Sequence, residues 1–201
     1  MTDQNKADRH KSRMQRKEKI VDASIERADQ EKGLLLVLTG NGKGKSSSAF
    51  GMVARSLGHG MNTAVAQFIK GRTDTGEEAF LGKQVNCTWH VLGGGFSWKV
   101  QDLAEDTARA EAGWKKTLPL LQDPEIHLVV LDELTYPLKY NWLDIDVVLE
   151  AIANRPPMQH VVITGRGAPQ KLLDAADTIS EIADIKHAFR AGIKAQPGVD
   201  L

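Results

Sequence analysis

The chain has 201 residues, and its 26 basic and 26 acidic side chains leave no net formal charge at neutral pH. That length suits one ordinary domain with a sizeable core, and the charge balance removes any global pull toward nucleic acid or an anionic membrane. The single cysteine, Cys87, excludes an intramolecular disulfide. No apolar stretch reaches the roughly eighteen residues of a membrane span. The N-terminus is charged and lacks an apolar signal core, so the expected address is a reducing cytoplasm. Histidines at positions 10, 59, 90, 127, 160 and 187 have no second histidine or cysteine at ligand spacing, which argues against structural zinc.

Composition divides the chain at about residue 32. Residues 1–32 mix lysine and arginine with acids and contain no aromatics. Met14, Val21, Ile25 and Ala28 recur at steps of seven, four and three, the pattern of a helix over about residues 12–30 with one thin apolar stripe. A helix of that kind needs a surface to lie on; a solvated tail is the alternative. Residues 33–201 are expected to form the main domain.

That domain opens with Leu34-Leu35-Leu36-Val37-Leu38, a run suited to a fully buried strand, followed by Thr39-Gly40-Asn41-Gly42-Lys43-Gly44-Lys45-Ser46-Ser47. Glycines let successive backbone N–H groups turn into one concavity, Lys45 adds a cation, and the next helix offers its positive N-terminal end, so the segment reads as a phosphate cradle. Ser46 or Ser47 supplies a hydroxyl suited to a magnesium ion between phosphates. The first glycine falls one step late: the usual P-loop spacing would put it at Thr39. Ala49, Phe50, Val53, Ala54 and Leu57 mark the buried face of the following helix, which ends at Gly58-His59-Gly60.

Thr63–Ile69 reads as a second strand, with Gln67 and Lys70-Gly71-Arg72 at its carboxyl end, the edge at which open α/β sheets bind ligands. Strand, helix, strand in this order favours a parallel sheet covered on both faces. Cys87–Leu92 is a short third strand running into Gly93-Gly94-Gly95-Phe96-Ser97-Trp98. Three consecutive glycines are costly to order, and two large aromatics follow them. Two explanations stand: a mobile loop that lays Phe96 and Trp98 on a large flat ligand, or two rings plugging the core.

A helix is expected over about 103–122, closed by Asp123-Pro124. The strand His127–Leu131 follows and ends in Asp132-Glu133. An acid at a strand tip downstream of a phosphate cradle is the second part of a P-loop site, where it meets the phosphate-bound metal. Asp132 is expected to be the metal contact, directly or through water, with Glu133 acting on water, ribose or metal. Asp144 is placed to cap a helix carrying Val147, Val148, Ala151 and Ile152. The strand His160–Thr164 leads to Gly165-Arg166-Gly167, Pro169 suits a first helical turn, and Thr178–Ile182 alternates as an edge strand does. The fold class expected is α/β, a P-loop NTPase-like three-layer fold with a mostly parallel central sheet, preceded by the N-terminal amphipathic helix.

Several blocks together resemble one family. Thr39–Ser46, Gln67-Phe68-Ile69-Lys70-Gly71, Gly95-Phe96-Ser97-Trp98, Val130–Tyr136, Ile163-Thr164-Gly165-Arg166-Gly167, Lys186-His187-Ala188-Phe189 and Gly192-Ile193-Lys194-Ala195-Gln196 are similar to the bacterial ATP:cob(I)alamin adenosyltransferases of the CobA/BtuR type. The resemblance runs from about Gly33 to the C-terminus. It implies transfer of the 5′-deoxyadenosyl group of ATP to the Co(I) of cob(I)alamin or a cobinamide-type corrinoid, with release of triphosphate.

By the same resemblance, Gly40, Asn41, Gly42, Lys43, Gly44, Lys45, Ser46 and Ser47 would hold the triphosphate with Mg²⁺ or Mn²⁺, and Gln67, Lys70 and Arg166 would join the ATP site. Ser46, Asp132 and Glu133 would face the metal. Lys45 and Glu133 would act in catalysis, and Phe96 and Trp98 would lie under the corrin and displace its axial ligand, easing reduction of Co(II). The resemblance further implies a homodimer whose N-terminal helix covers the neighbouring subunit's corrinoid, and a flavoprotein or other reductant as partner, with neither nucleic acid nor membrane involved. A RecA-like or kinase-like P-loop NTPase is the alternative enzyme.

Overall fold

The computed structural model describes residues 3–71, 75–95 and 103–200. The chain forms two compact units, residues 1–32 and 33–201. The first is one helix, α1, Asp3–Arg27, longer at its start than the apolar spacing predicts. Ser24 donates to the Ile20 carbonyl at 2.8 Å and Arg27 Nε to that of Ala23 at 2.9 Å, so polar side chains fold back onto the helix's own backbone near its end.

The second unit is built on six parallel strands: β1 Leu35–Thr39, β2 Asn62–Gln67, β3 Cys87–Val91, β4 Ile126–Asp132, β5 His160–Thr164 and β6 Thr178–Glu181. They lie in the order β3-β2-β4-β5-β1-β6, and every adjacent pair is parallel. The apolar runs of β1, β4 and β5 are nearly continuous because the sheet is buried on both faces. Leu35, Val37, Val129, Leu131, Val161 and Ile163 point to one face, where they meet Trp114 and Leu121 of α4 (Leu103–Gln122), Val148 and Ile152 of α6 (Ile145–Ala153) and Leu172 of α7 (Gln170–Ala175). Leu38, Leu128, Val130 and Val162 point to the other, against Ala49, Phe50 and Val53 of α2 (Lys45–Gly58). The result is three layers, helices on either side of a sheet. Ala54, expected on the buried face of α2, is exposed.

Two short helices were not foreseen from periodicity: α3, Gly76–Leu81, and α5, Thr135–Lys139. A single 3-10 turn, Ala188–Ala191, follows β6. Thr75 caps α3 by accepting from the Glu78 N–H, Asp144 caps α6 by accepting from that of Asp146 at 2.8 Å, and Pro169 precedes α7 rather than opening it. Among the described residues no helix is long and apolar enough to cross a membrane.

Candidate active site

The carboxyl ends of β1, β2, β4 and β5 converge on one cleft of about 420 Å³, the edge at which parallel α/β sheets take ligands. Its floor is the turn after β1. Gly40 and Gly44 adopt φ of 94° and 120°, a region costly for a residue with a β-carbon. On its outer side the turn is braced: Gly42 N–H donates to the Ile182 carbonyl at 2.7 Å, and a β-carbon at Gly40 or Gly42 would overlap the Ile182–Ala183 backbone. On its inner side the turn runs into α2 through Gly44, and no side chain caps that helix. The first N–H groups of α2 therefore face the cleft beside Lys45, Ser46 and Ser47, an arrangement that attracts phosphate.

Cations surround this floor. Lys45 Nζ donates to the Gly42 carbonyl at 2.6 Å, so its ammonium folds back over the turn. Lys43 pairs with Asp200 at 2.8 Å, and Lys70 with Asp132 at 3.3 Å. Arg166, after β5, is exposed and lines the opposite wall. Burial, followed by the nearby Arg166 charge, lowers the Lys45 pKa.

The two acids at the tip of β4 differ sharply. Asp132 is fully buried and accepts from three partners: Thr164 Oγ1 at 2.7 Å on one carboxylate oxygen, and Gln67 Nε2 at 3.1 Å and Lys70 on the other. A direct bond from Asp132 to a metal would require one of these donors to leave. Glu133 turns instead into the cleft, with φ of 62° and its backbone N–H donating to Thr164 Oγ1 at 2.9 Å. Burial, reinforced by the Asp132 charge, raises its carboxyl pKa to about 7, against the pull of Lys70, Lys45 and Arg166.

Gln67 does not line the cleft. Its side chain is 1% exposed and its amide is used within the fold, accepting from Trp89 Nε1 at 3.1 Å and donating to Asp132. The glycines after β3 also have a packing reason: a β-carbon at Gly93 would overlap the Ile69 backbone, one at Gly94 the Arg109 guanidinium, and one at Gly71 the backbone of Gly94 and Gly95. Gly95 N–H donates to the Ile69 carbonyl at 3.0 Å, so the root of this loop is joined to the end of β2 beside Lys70. Phe96 and Trp98 lie outside the described residues, as does Arg72.

Cleft residues that were not named as site candidates are Glu77, Tyr136, Thr164, Gly165, His187, Val199 and Asp200. Tyr136, Thr164, Gly165 and His187 stand within the blocks that carry the family resemblance, and Thr164 has a further signal, a hydroxyl at the last position of a buried strand. Glu77, Val199 and Asp200 sit on the short helix α3 and on the irregular segment after β6, where sequence spacing has no period to read. Among the described residues no group of three or more histidines, cysteines or acids is arranged to hold a metal ion by itself; an ion here would need a hydroxyl or a phosphate as a further ligand.

Comparison with known proteins agrees with this geometry. Residues 31–201 match the family described as ATP:corrinoid adenosyltransferase BtuR/CobO/CobP. A corrinoid adenosyltransferase of Pseudomonas aeruginosa is 57% identical, covering 98% of this chain and 97% of that protein. The corrinoid adenosyltransferase CobA of Salmonella typhimurium is 45% identical and that of Escherichia coli K12 is 42% identical, each covering 96% of this chain and 98% of the relative. A glycine-rich turn opening into an uncapped helix, a cleft-facing acid and a match across the whole sheet domain coincide in one chain, which belongs to the ATP:corrinoid adenosyltransferase family.

Proposed function

We propose that the chain transfers the 5′-deoxyadenosyl group of ATP to the Co(I) of a corrinoid and releases intact tripolyphosphate. The observation that carries this reading is the family match over residues 31–201, because a phosphate cradle alone would serve a hydrolase equally well. In the reaction the Co(I) electron pair forms a bond to the ribose C5′ as the C5′–O bond breaks, and that bond's electrons leave with the triphosphate. The protein's part is to align the reactants and to stabilise charge on the leaving polyphosphate.

The residues of the cleft suit a metal–triphosphate. Asn41 to Ser47 and the uncapped start of α2 offer N–H donors, and Lys43, Lys45, Lys70 and Arg166 offer positive charge. Mg²⁺ or Mn²⁺ would neutralise the phosphates, held by the Ser46 hydroxyl and Glu133 carboxylate, with Asp132 holding Gln67 and Lys70 behind them. Lys45 would swing from the Gly42 carbonyl onto the phosphates. Phe96 and Trp98, whose loop is rooted at Gly93–Gly95 beside Lys70, would lie against the corrin. A homodimer in which α1 covers the neighbouring corrinoid, a flavoprotein or other reductant, and a cytoplasmic setting complete the reading by likeness to the family.

The test is anaerobic. Protein, ATP and Mg²⁺ are mixed with chemically reduced cob(I)alamin, loss of the Co(I) spectrum is followed, and the phosphate product is identified. Tripolyphosphate supports the proposal; ADP or orthophosphate would replace it with an NTPase. Chelation should stop turnover, with Mg²⁺ or Mn²⁺ restoring it. Phe96→Ala and Trp98→Ala should slow turnover that starts from Co(II) far more than turnover of preformed Co(I), whereas equal effects would point to rings that plug the core.

A further inference from the structure

We propose that Thr164 is a positioning residue for adenosyl transfer, holding Glu133 toward the cleft through a hydrogen-bond chain that begins at the indole of Trp89 and passes through the buried Gln67 and Asp132. The proposal rests on the adenosyltransferase reading for its kinetic consequence, but its structural basis is independent of it.

The chain of bonds crosses β3, β2, β4 and β5, four strands adjacent in the sheet. Trp89, on β3, packs its ring at 5.1 Å from that of Phe50 and donates Nε1–H to Gln67 Oε1 at 3.1 Å. An indole can only donate, so the Gln67 amide must turn its oxygen to Trp89 and its nitrogen to Asp132. Gln67 Nε2 then donates to Asp132 Oδ2 at 3.1 Å. A carboxylate can only accept, so Thr164, 2.7 Å from Asp132 Oδ1, must give it its one hydroxyl proton. The lone pairs left on Thr164 Oγ1 accept the backbone N–H of Glu133 at 2.9 Å. Every orientation is thereby fixed, from the indole at one end to the Glu133 amide at the other.

What the last bond holds is unusual. Glu133 is one of two non-glycine residues with positive φ among the described residues, and such a conformation persists only where its surroundings over-determine it. Relaxation of the backbone at Glu133 would redirect its side chain away from Lys45 and Arg166. Thr164 is the hydroxyl that prevents this, and Asp132, Gln67 and Trp89 prevent Thr164 from turning. The chain also gives Asp132 a role distinct from metal binding: it is the acceptor on which both halves close.

The experiment compares wild type with Thr164→Val, Thr164→Ser and Trp89→Phe. Thr164→Val keeps the shape of the side chain and removes the hydroxyl. Its kcat for adenosylation of cob(I)alamin should fall by about 10- to 100-fold, the scale expected of a misplaced active-site group, while KM for ATP changes little. Thr164→Ser should recover most of the loss, and Trp89→Phe should cost a smaller factor because Gln67 then loses the partner of its oxygen but keeps its bond to Asp132. Without substrates, amide hydrogen exchange at Glu133, read by NMR, should accelerate in Thr164→Val and stay slow in Thr164→Ser. Wild-type kcat and wild-type Glu133 protection in Thr164→Val would overturn the proposal, as would a Thr164→Ser variant as impaired as Thr164→Val. If Thr164→Val does not fold, Trp89→Phe decides: unchanged kcat and unchanged exchange reject the chain. If wild type itself fails to adenosylate cob(I)alamin, the function falls, while the exchange data still judge the clamp.

Discussion

Gly40–Gly44 and Gly93–Gly95 both follow strands at the same edge of the sheet, and both are dense in glycine. The first is braced on one side only, by the Ile182–Ala183 backbone, and opens on the other into an uncapped helix start beside Lys45. The second is closed in by Ile69, by Gly71 and by the Arg109 side chain, and its glycines let strands of backbone touch. Glycine content alone therefore does not distinguish a cradle for an anion from a seam in the fold. What the glycines adjoin does: a lysine and the donors of a helix in one case, neighbouring main chain and the Arg109 side chain in the other.

The comparison predicts effects of different kinds. Lys45→Ala should lower kcat/KM for ATP by about 10²-fold or more with little change in thermal stability, the scale seen when one group that stabilises developing charge is removed. Near-wild-type turnover in that variant would remove the cradle from the mechanism. Glu133, facing the cradle, should make stability depend on pH. Its pKa is raised from 4.5 to about 7, so the folded chain holds a proton that the unfolded chain releases, and ligand-free, metal-free protein should lose stability as pH rises through that window, by at most about 3 kcal/mol. Glu133→Gln should flatten this slope in denaturant titrations at several pH values; an unchanged slope would assign it to another group.

On the seam side, Gly93→Ala should destabilise by about 1–3 kcal/mol, the scale of overpacking, because only backbone is there to give way. A melting temperature equal to wild type would mean that the seam is loose and that the two glycine segments are alike after all. Smallest is the control, Gly51→Ala in α2, where nothing lies within 4 Å of the added carbon. It should stabilise by roughly 0.5–1 kcal/mol through helix propensity, and a destabilisation would show that glycine substitutions in this protein cannot be judged from local packing.

Legibility followed burial and periodicity. β1, β4 and β5 were readable because strands covered on both faces need unbroken apolar runs, and Asp144 announced α6 as a helix cap does. α3 and α5, of 6 and 5 residues, are too short for a helical period to emerge, although Thr75 with Glu78 three positions on is a capping signal. In the cleft, the glycine turn and the acid pair could be read from order along the chain. Which acid would turn outward could not, since that depends on the φ of Glu133 and on a hydroxyl 31 positions away. Gln67 illustrates the same limit: sequence places it at the binding edge, but only its neighbours on β3 and β4 decide that it faces inward. Of the aromatic pair Phe96 and Trp98, sequence supplies the candidates and leaves both explanations standing.

The strand order also governs when the site can exist. β1, which carries the cradle, lies between β5 and β6 and pairs with neither β2 nor β3. Its partners arrive late: the Leu34 N–H, for instance, is received by His160 Nδ1, 126 positions further along. A nascent chain emerging from the ribosome therefore presents an apolar β1 with no sheet neighbour until β5, which begins at residue 160 of 201, is made. Pairings of such separation fold slowly and leave hydrophobic edges open in the meantime. ATP cannot hasten that step, because the pocket that would bind it needs β5 already in place; the early chain must be shielded by other means, and C-terminal truncations ending before residue 160 should aggregate rather than yield a smaller nucleotide-binding domain.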